Sequence, residues 1–303
     1  MRYACVVVAI LATASSLRSQ TFTPRPKLMV VSAVDVGMSR SVNRGVFEAV
    51  SRGTVSSVSV MVVGDAFDDA AAWLRAHPEV DVGLHVVLSA EWPHARWRPV
   101  MPASVVRSLT DSTGAFRRHF DGSRADAREV EQEIRAQLML ARAAGVHVTH
   151  LDVHKNALYG GGGRFADALV RIVADEAVTV VLSRTGPTEW GTLAVALGTG
   201  PMFEVSTAIT PAETPARWPR WYEAVVRGAP AGVTRVVVHP GYDDAELRAL
   251  TDGVDAWGAA WRQRDLAVLL SDSFLRELTE RRVKLLGMKE VPWRTHGGAV
   301  PPP

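Results

Sequence analysis

Four polar clusters close short apolar runs in this chain. They are Asp35 with Gly37, His85 in the run from Gly83 to Ser89, His150 with Asp152 and His154, and His239 ahead of Pro240 and Gly241. Each run reads as a strand, so each cluster falls at a strand's C-terminal end. Period-two alternation puts His150, Asp152 and His154 on one face of their strand and Leu151 and Val153 on the other. One carboxylate and two or three imidazoles converging at one mouth can hold a divalent cation and leave positions for water and substrate. Spacing alone leaves a second reading open, in which each histidine is a hydrogen-bonded strand-end residue. Ser32, Ser89 and Ser183 stand in no Gly-x-Ser-x-Gly elbow, which argues against a serine hydrolase. Gly160 to Gly163 reads as a flexible turn; no Gly-Lys-Ser/Thr follows it, so it is not a phosphate loop.

The elements that must position these clusters alternate along the chain. Strands are predicted at Leu28–Ala33, Ser57–Val63, Val80–Leu88, Val146–Val153, Val178–Leu182, Met202–Ser206, Thr234–Val238 and Val283–Leu286. Between them fall helices from about Ser41, at Phe67–Ala76, Asp126–Ala144, Phe165–Glu176, around Arg220–Arg227, from Asp243, and at Ser273–Arg281. In the helix from Asp126, Val130, Ile134 and Leu138 recur every four residues, and Gly145 stands at the C′ position. Apolar strands alternating with helices imply a parallel sheet covered by helices. About seven such units fit a single-domain α/β fold, a distorted or incomplete parallel β/α barrel. Two loops exceed what a barrel needs, Ser89–Arg124 and Ser183–Pro201. Barrel loops of this kind sit over the C-terminal strand ends, where ligands bind. The first carries Trp92, Arg96 and Trp97, which are expected near the metal as substrate-binding residues.

Composition is that of a globular chain, 47% hydrophobic and 22% charged, and its 303 residues can bury one large core. With 34 basic against 32 acidic residues, the net charge is +2 and no run of one sign appears. That balance argues against a nucleic-acid partner or an anionic membrane surface. Arg2, the apolar stretch Ala4–Ala14 and the small residues Ala12 and Ala14 read as a signal peptide over residues 1–20, with a linker at 21–27. Export to the periplasm or beyond follows, with no membrane contact once the signal is removed. The only cysteine, Cys5, lies inside that segment, so thiol chemistry drops out. Residues 292–303 read as a C-terminal tail.

In order along the chain, five segments resemble the YdjC-like carbohydrate deacetylases. Ser32 to Val46 resembles the opening ADDFG or ADDIG signature and Thr54 to Val62 the second strand. Asp81 to Ser89 resembles VGLHLxLT, Thr149 to His154 resembles THxDSH, and Val238 to Tyr242 resembles HPG. Ser89 to Val100 is similar to one branch with a Trp-rich lid. The resemblance covers residues 28–291. It implies a seven-stranded barrel-like fold and a divalent cation, magnesium or zinc, held by Asp35, His85 and His154. The activity it implies is removal of N-acetyl groups from small amino sugars, so the partner is a small carbohydrate; a homodimer is the oligomer to consider. His239 matches the acid that protonates the departing amine. Three family positions depart: the carboxylate expected before the metal-binding Asp is Val34, and Val153 and Ser32 replace further polar residues. Either Asp152 or a substrate group then serves as base, or turnover is slow, or the chain binds sugar without hydrolysing it.

Overall fold

A computed structural model describes residues 27–181, 203–206, 216–230 and 232–291. The predicted signal peptide, most of the linker, nearly all of the second long loop and the C-terminal tail lie outside the described residues. Seven strands run parallel in one sheet: β1 (Lys27–Val36), β2 (Ser57–Val60), β3 (Val82–Val86), β4 (Val148–Val153), β5 (Thr179–Val180), β6 (Phe203–Ser206) and β7 (Gly232–Val238). Their spatial order is β5-β4-β3-β2-β1-β7-β6, and β8 (Val283–Leu285) pairs with β1 alone. Among the described residues β5 and β6 do not pair with each other, so the barrel stays open, as the strand count predicts.

β1 is apolar at nearly every position because both its faces are buried. Met29, Val31 and Ala33 face the helices and join the main core, whereas Val30 packs with Val181, Leu286, Met288 and Val291 in a separate cluster. By alternation Ser32 and Val34 follow Val30 on that inner face, and Arg235 and Val237 follow Val233 on β7. The barrel interior is therefore apolar at its floor and polar above it, which carries the functional residues toward the C-terminal strand ends.

Helices α1 (Arg40–Ser51), α2 (Phe67–Ala76), α3 (Ala127–Ala143), α4 (Ala166–Glu176), α5 (Arg217–Gly228), α6 (Ala245–Leu250), α7 (Ala259–Leu269) and α8 (Asp272–Glu280) accompany the sheet. α3 starts where the Asp126 carboxylate accepts hydrogen bonds from the Arg128 and Glu129 amides, a cap that contributes about 1 kcal/mol. It buries Val130, Ile134 and Leu138, the predicted stripe. Two features differ from the sequence reading. Gly160 to Gly163, read as a flexible turn, belongs to a 3-10 segment, His154–Phe165. α7 was not anticipated, because it buries Ala259, Trp261, Arg262, Asp265, Leu266, Val268 and Leu269 and so shows no polar stripe.

Candidate metal centre

Pairing of β1 with β2 runs Ala33 to Val58 and then Val36 to Val60, so β1 holds one extra residue, a β-bulge. Asp35 sits in that bulge at φ 63, a left-handed conformation that Asp tolerates better than most side chains. The bulge breaks the alternation, and Val34 and Asp35 both line a cavity of about 590 Å³ at the C-terminal strand ends. His85 reaches it from β3, Asp152 from β4, His154 from just beyond β4, and His239 from just beyond β7. Gly83 makes room beside them: a Cβ there would stand 2.3 Å from the His150 ring.

Three buried ligand atoms face one another. His85 Nε2 is 3.2 Å from Asp35 Oδ1, His154 Nδ1 is 3.4 Å from the same oxygen, and the two nitrogens are 3.0 Å apart. Ligands bound at about 2.0–2.1 Å around a tetrahedral ion stand roughly 3.3 Å apart, so the triangle has the size a cation requires. Asp35 Oδ1 is buried and no donor approaches it with hydrogen-bond geometry. A buried carboxylate oxygen left in this way is costly without a positive partner. Among the described residues, Asp35, His85 and His154 form the one group of three such side chains close enough to hold a metal.

Each ligand is backed by a second residue. Glu91 Oε1 lies 2.7 Å from His154 Nε2, so the carboxylate fixes the ring with Nδ1 turned inward. Arg262 donates to Asp35 Oδ2 at 2.6 Å and Arg235 to Asp152 Oδ2 at 2.6 Å. Asp152 Oδ2 is also 3.4 Å from His85 Nδ1. Burial, the largest influence, would raise the carboxyls of Asp35 and Asp152; Arg262 with His154 and His85 at the first, and Arg235 with His85 at the second, together outweigh it and hold both below the usual range. Burial would lower His154, yet Glu91 and Asp35 hold it up at about 10. For His239 burial outweighs the pull of the Asp35 carboxylate and pushes it down to about 3. Its backbone amide donates to Asp265 Oδ2 at 2.9 Å, which ties the strand end to α7.

Of the lid residues expected at the substrate, Trp92 lines the cavity and lies 5.7 Å from the Arg262 guanidinium. Trp97 is buried with its ring edge-on to His154, 6.3 Å between centroids. Arg96 is half exposed and donates to Asp111 and Thr113. His119, read as a surface residue, is exposed and also lines the cavity; His94 and His147 are exposed. Glu91, Arg235, Arg262 and Trp257 are cavity residues that the sequence reading did not single out. For Arg235 a signal existed: a charged residue in an apolar strand run must be paired.

A family model described as "YdjC-like protein" matches residues 28–280. Residues of this chain are 39% identical over 127 positions to a carbohydrate deacetylase of Brevibacillus brevis, covering 42% of this chain and 48% of that protein. They are 32% identical over 133 positions to a carbohydrate deacetylase of Thermoanaerobacter pseudethanolicus, covering 43% and 51%. The match thus spans about half the length of these curated relatives. A crystal structure from Enterococcus faecalis V583, named for cellobiose-phosphate cleavage, superposes with a TM-score of 0.72 at 20% identity, covering 86% of this chain and 97% of the other. At that identity the likeness concerns the fold.

Proposed function

The chain belongs to the YdjC-like protein family, and from that premise we propose that it is a metal-dependent hydrolase that removes N-acetyl groups from amino sugars or short oligosaccharides. The carrying observation is the triangle of Asp35 Oδ1, His85 Nε2 and His154 Nδ1 at the base of an open cavity. Those three residues would hold a divalent ion, magnesium or zinc, which supplies Lewis acidity to the amide carbonyl and to the attacking water. Arg262 helps hold Asp35 ionised, Glu91 keeps the His154 imidazole turned toward that point, and Asp152 places a negative charge 3.4 Å from His85 Nδ1.

Proton movement falls to His239. Burial keeps it uncharged at neutral pH, so its ring nitrogen is open to the proton that water loses as its oxygen attacks the carbonyl carbon, although the same burial lowers its strength as a base. As the C–N bond breaks, the same proton passes to the departing nitrogen, leaving acetate and an amine. Asp152 is the alternative acceptor, although its bond to Arg235 weakens it as a base. A second reading has support from Val34, which puts an isopropyl group in the cavity where the family resemblance calls for a carboxylate. On that reading the chain binds metal and sugar with little turnover.

Acetate released from N-acetylated chitooligosaccharides, with and without added zinc or magnesium, separates the two. The deacetylase reading requires metal-stimulated release that His85→Ala abolishes. Binding without release favours the second reading, and neither binding nor release rejects both. Export is part of the proposal and is supported by the apolar segment Ala4–Ala14. Among the described residues no helix is long and apolar enough to cross a membrane. N-terminal sequencing of protein from its native source should find a start between Ser15 and Thr21; Met1 retained on cytoplasmic protein rejects export.

A further inference from the structure

Six non-glycine residues among those described have positive φ, and four of them line the cavity: Asp35, Lys155, Asn156 and Trp257. Strained backbone concentrates at functional sites because the surrounding structure must hold it there. Trp257, at φ 58, is the least expected, since a bulky side chain rarely enters the left-handed region. Its loop is closed by bonds from Val254 to the Thr251 carbonyl, from Gly258 to the Asp255 carbonyl, and from the Ala259 amide to Thr251 Oγ1. A Cβ on Gly258 would stand 2.0 Å from the Val254 carbonyl oxygen, so the next position is fixed as well.

Arg262 Nε donates to the Trp257 carbonyl at 2.7 Å, while its Nη2 holds Asp35 Oδ2 at 2.6 Å. One planar guanidinium therefore ties the Trp257 backbone to Asp35. Trp257 remains 42% exposed, whereas Trp261 and Trp218 are buried. Its ring stands 6.3 Å from His239 and 5.4 Å from Trp261. Packing alone gives no reason for an indole here, and glycine would serve the backbone better. Val254 and Ala256 extend the apolar lining, and Lys155 and Asn156 bring an ammonium and an amide to the same cavity. A pyranose ring has this mixed character, with a C–H face and hydroxyl edges.

We propose that Trp257 is the platform on which the acetylated sugar ring stacks, with Lys155 and Asn156 meeting its hydroxyls. The proposal rests on the deacetylase reading above. Binding and turnover of N,N′-diacetylchitobiose are compared in wild type, Trp257→Gly and Trp257→Phe, beside N-acetylethanolamine, an acetamide with no ring. Trp257→Gly should lose about tenfold or more in affinity for the disaccharide, and Trp257→Phe should stay within about threefold of wild type. The melting temperature of the glycine variant should not fall, since glycine relieves the strained φ. For the ringless amide the variants should match wild type. Unchanged disaccharide KM in Trp257→Gly, while wild type releases acetate, overturns the platform and leaves the deacetylase reading standing. An equal loss for both probes also overturns it, as a general disturbance of the site. Wild type that neither binds nor cleaves the disaccharide overturns platform and deacetylase reading together.

Discussion

On the metal-dependent reading proposed above, Glu91 and Arg262 set how well the cluster would hold a cation, although neither belongs to the three-residue group. Outer partners of this kind typically change metal affinity by about 10–100-fold, so Glu91→Gln should weaken binding by that factor in a metal titration. Protons compete for the same site. Glu91 and Asp35 hold His154 at about 10, against the pull of burial, so a cation must displace its proton. Affinity should therefore rise with pH through the neutral range, about tenfold per unit for each proton displaced, and calorimetry in buffers of different ionisation enthalpy should register the release. Val34 allows a third test. Val34→Asp adds a carboxylate beside Asp35, and acetate release should rise, within the roughly 10²–10⁴-fold that a placed base contributes. If turnover does not rise and His239→Asn is inactive, His239 already performs both proton transfers.

The strands place their residues strictly, and the tolerance is smallest at β3. Gly83→Ala would drive a methyl group into the His150 ring. Overpacking of this kind costs about 1–3 kcal/mol, and thermal denaturation should show the loss even though the residue binds nothing. β1, α1, α2 and α3 were legible in the sequence because each has one clear period: a continuous apolar run for a strand buried on both faces, or a stripe for a helix with one wet side. The residues at the strand ends, Asp35, His85, Asp152, His154 and His239, were legible for the same reason, since strand position predicts where a side chain ends up. α7 was not, because its buried surface leaves no stripe, and with it went Arg262 and Asp265. Arg262 meets Asp35 across 227 positions of sequence, and no local pattern announces such a pair. Glu91 and Trp257 lie on irregular segments whose course depends on tertiary bonds. The bulge at Asp35 was hidden too, because an extra residue in one strand shows only against its partner.

At the scale of the whole molecule, α3 anchors the middle of the long segment Ser89–Arg124, whose end is held by Arg164 through the Gly122 and Ser123 carbonyls. Glu133 of α3 accepts from the Val100 and Met101 amides at 2.9 Å each, and Gln137 bonds both the amide and the carbonyl of Val87. Glu133→Ala leaves two donors without partners, each costing about 1–3 kcal/mol if it stays dry. Limited proteolysis within Ser89–Arg124 should then run faster than in wild type, while the metal content stays the same. The sheet's strand order has a consequence of another kind, in the time domain. β1 pairs along one edge with β7, Lys27 opposite Gly232, and the start of its other edge pairs with β8, Lys27 opposite Val283. The central strand thus precedes its partners in the sheet and obtains β7 about 200 residues later and β8 about 250 residues later. Closing loops of that length costs entropy before any pairing repays it, so the sheet should assemble slowly and late. Until then a ten-residue apolar strand keeps an unpaired edge, a template for pairing with other chains. The yield of refolded protein should therefore fall steeply as its concentration is raised, and in the cell β1 is where a chaperone has most reason to bind.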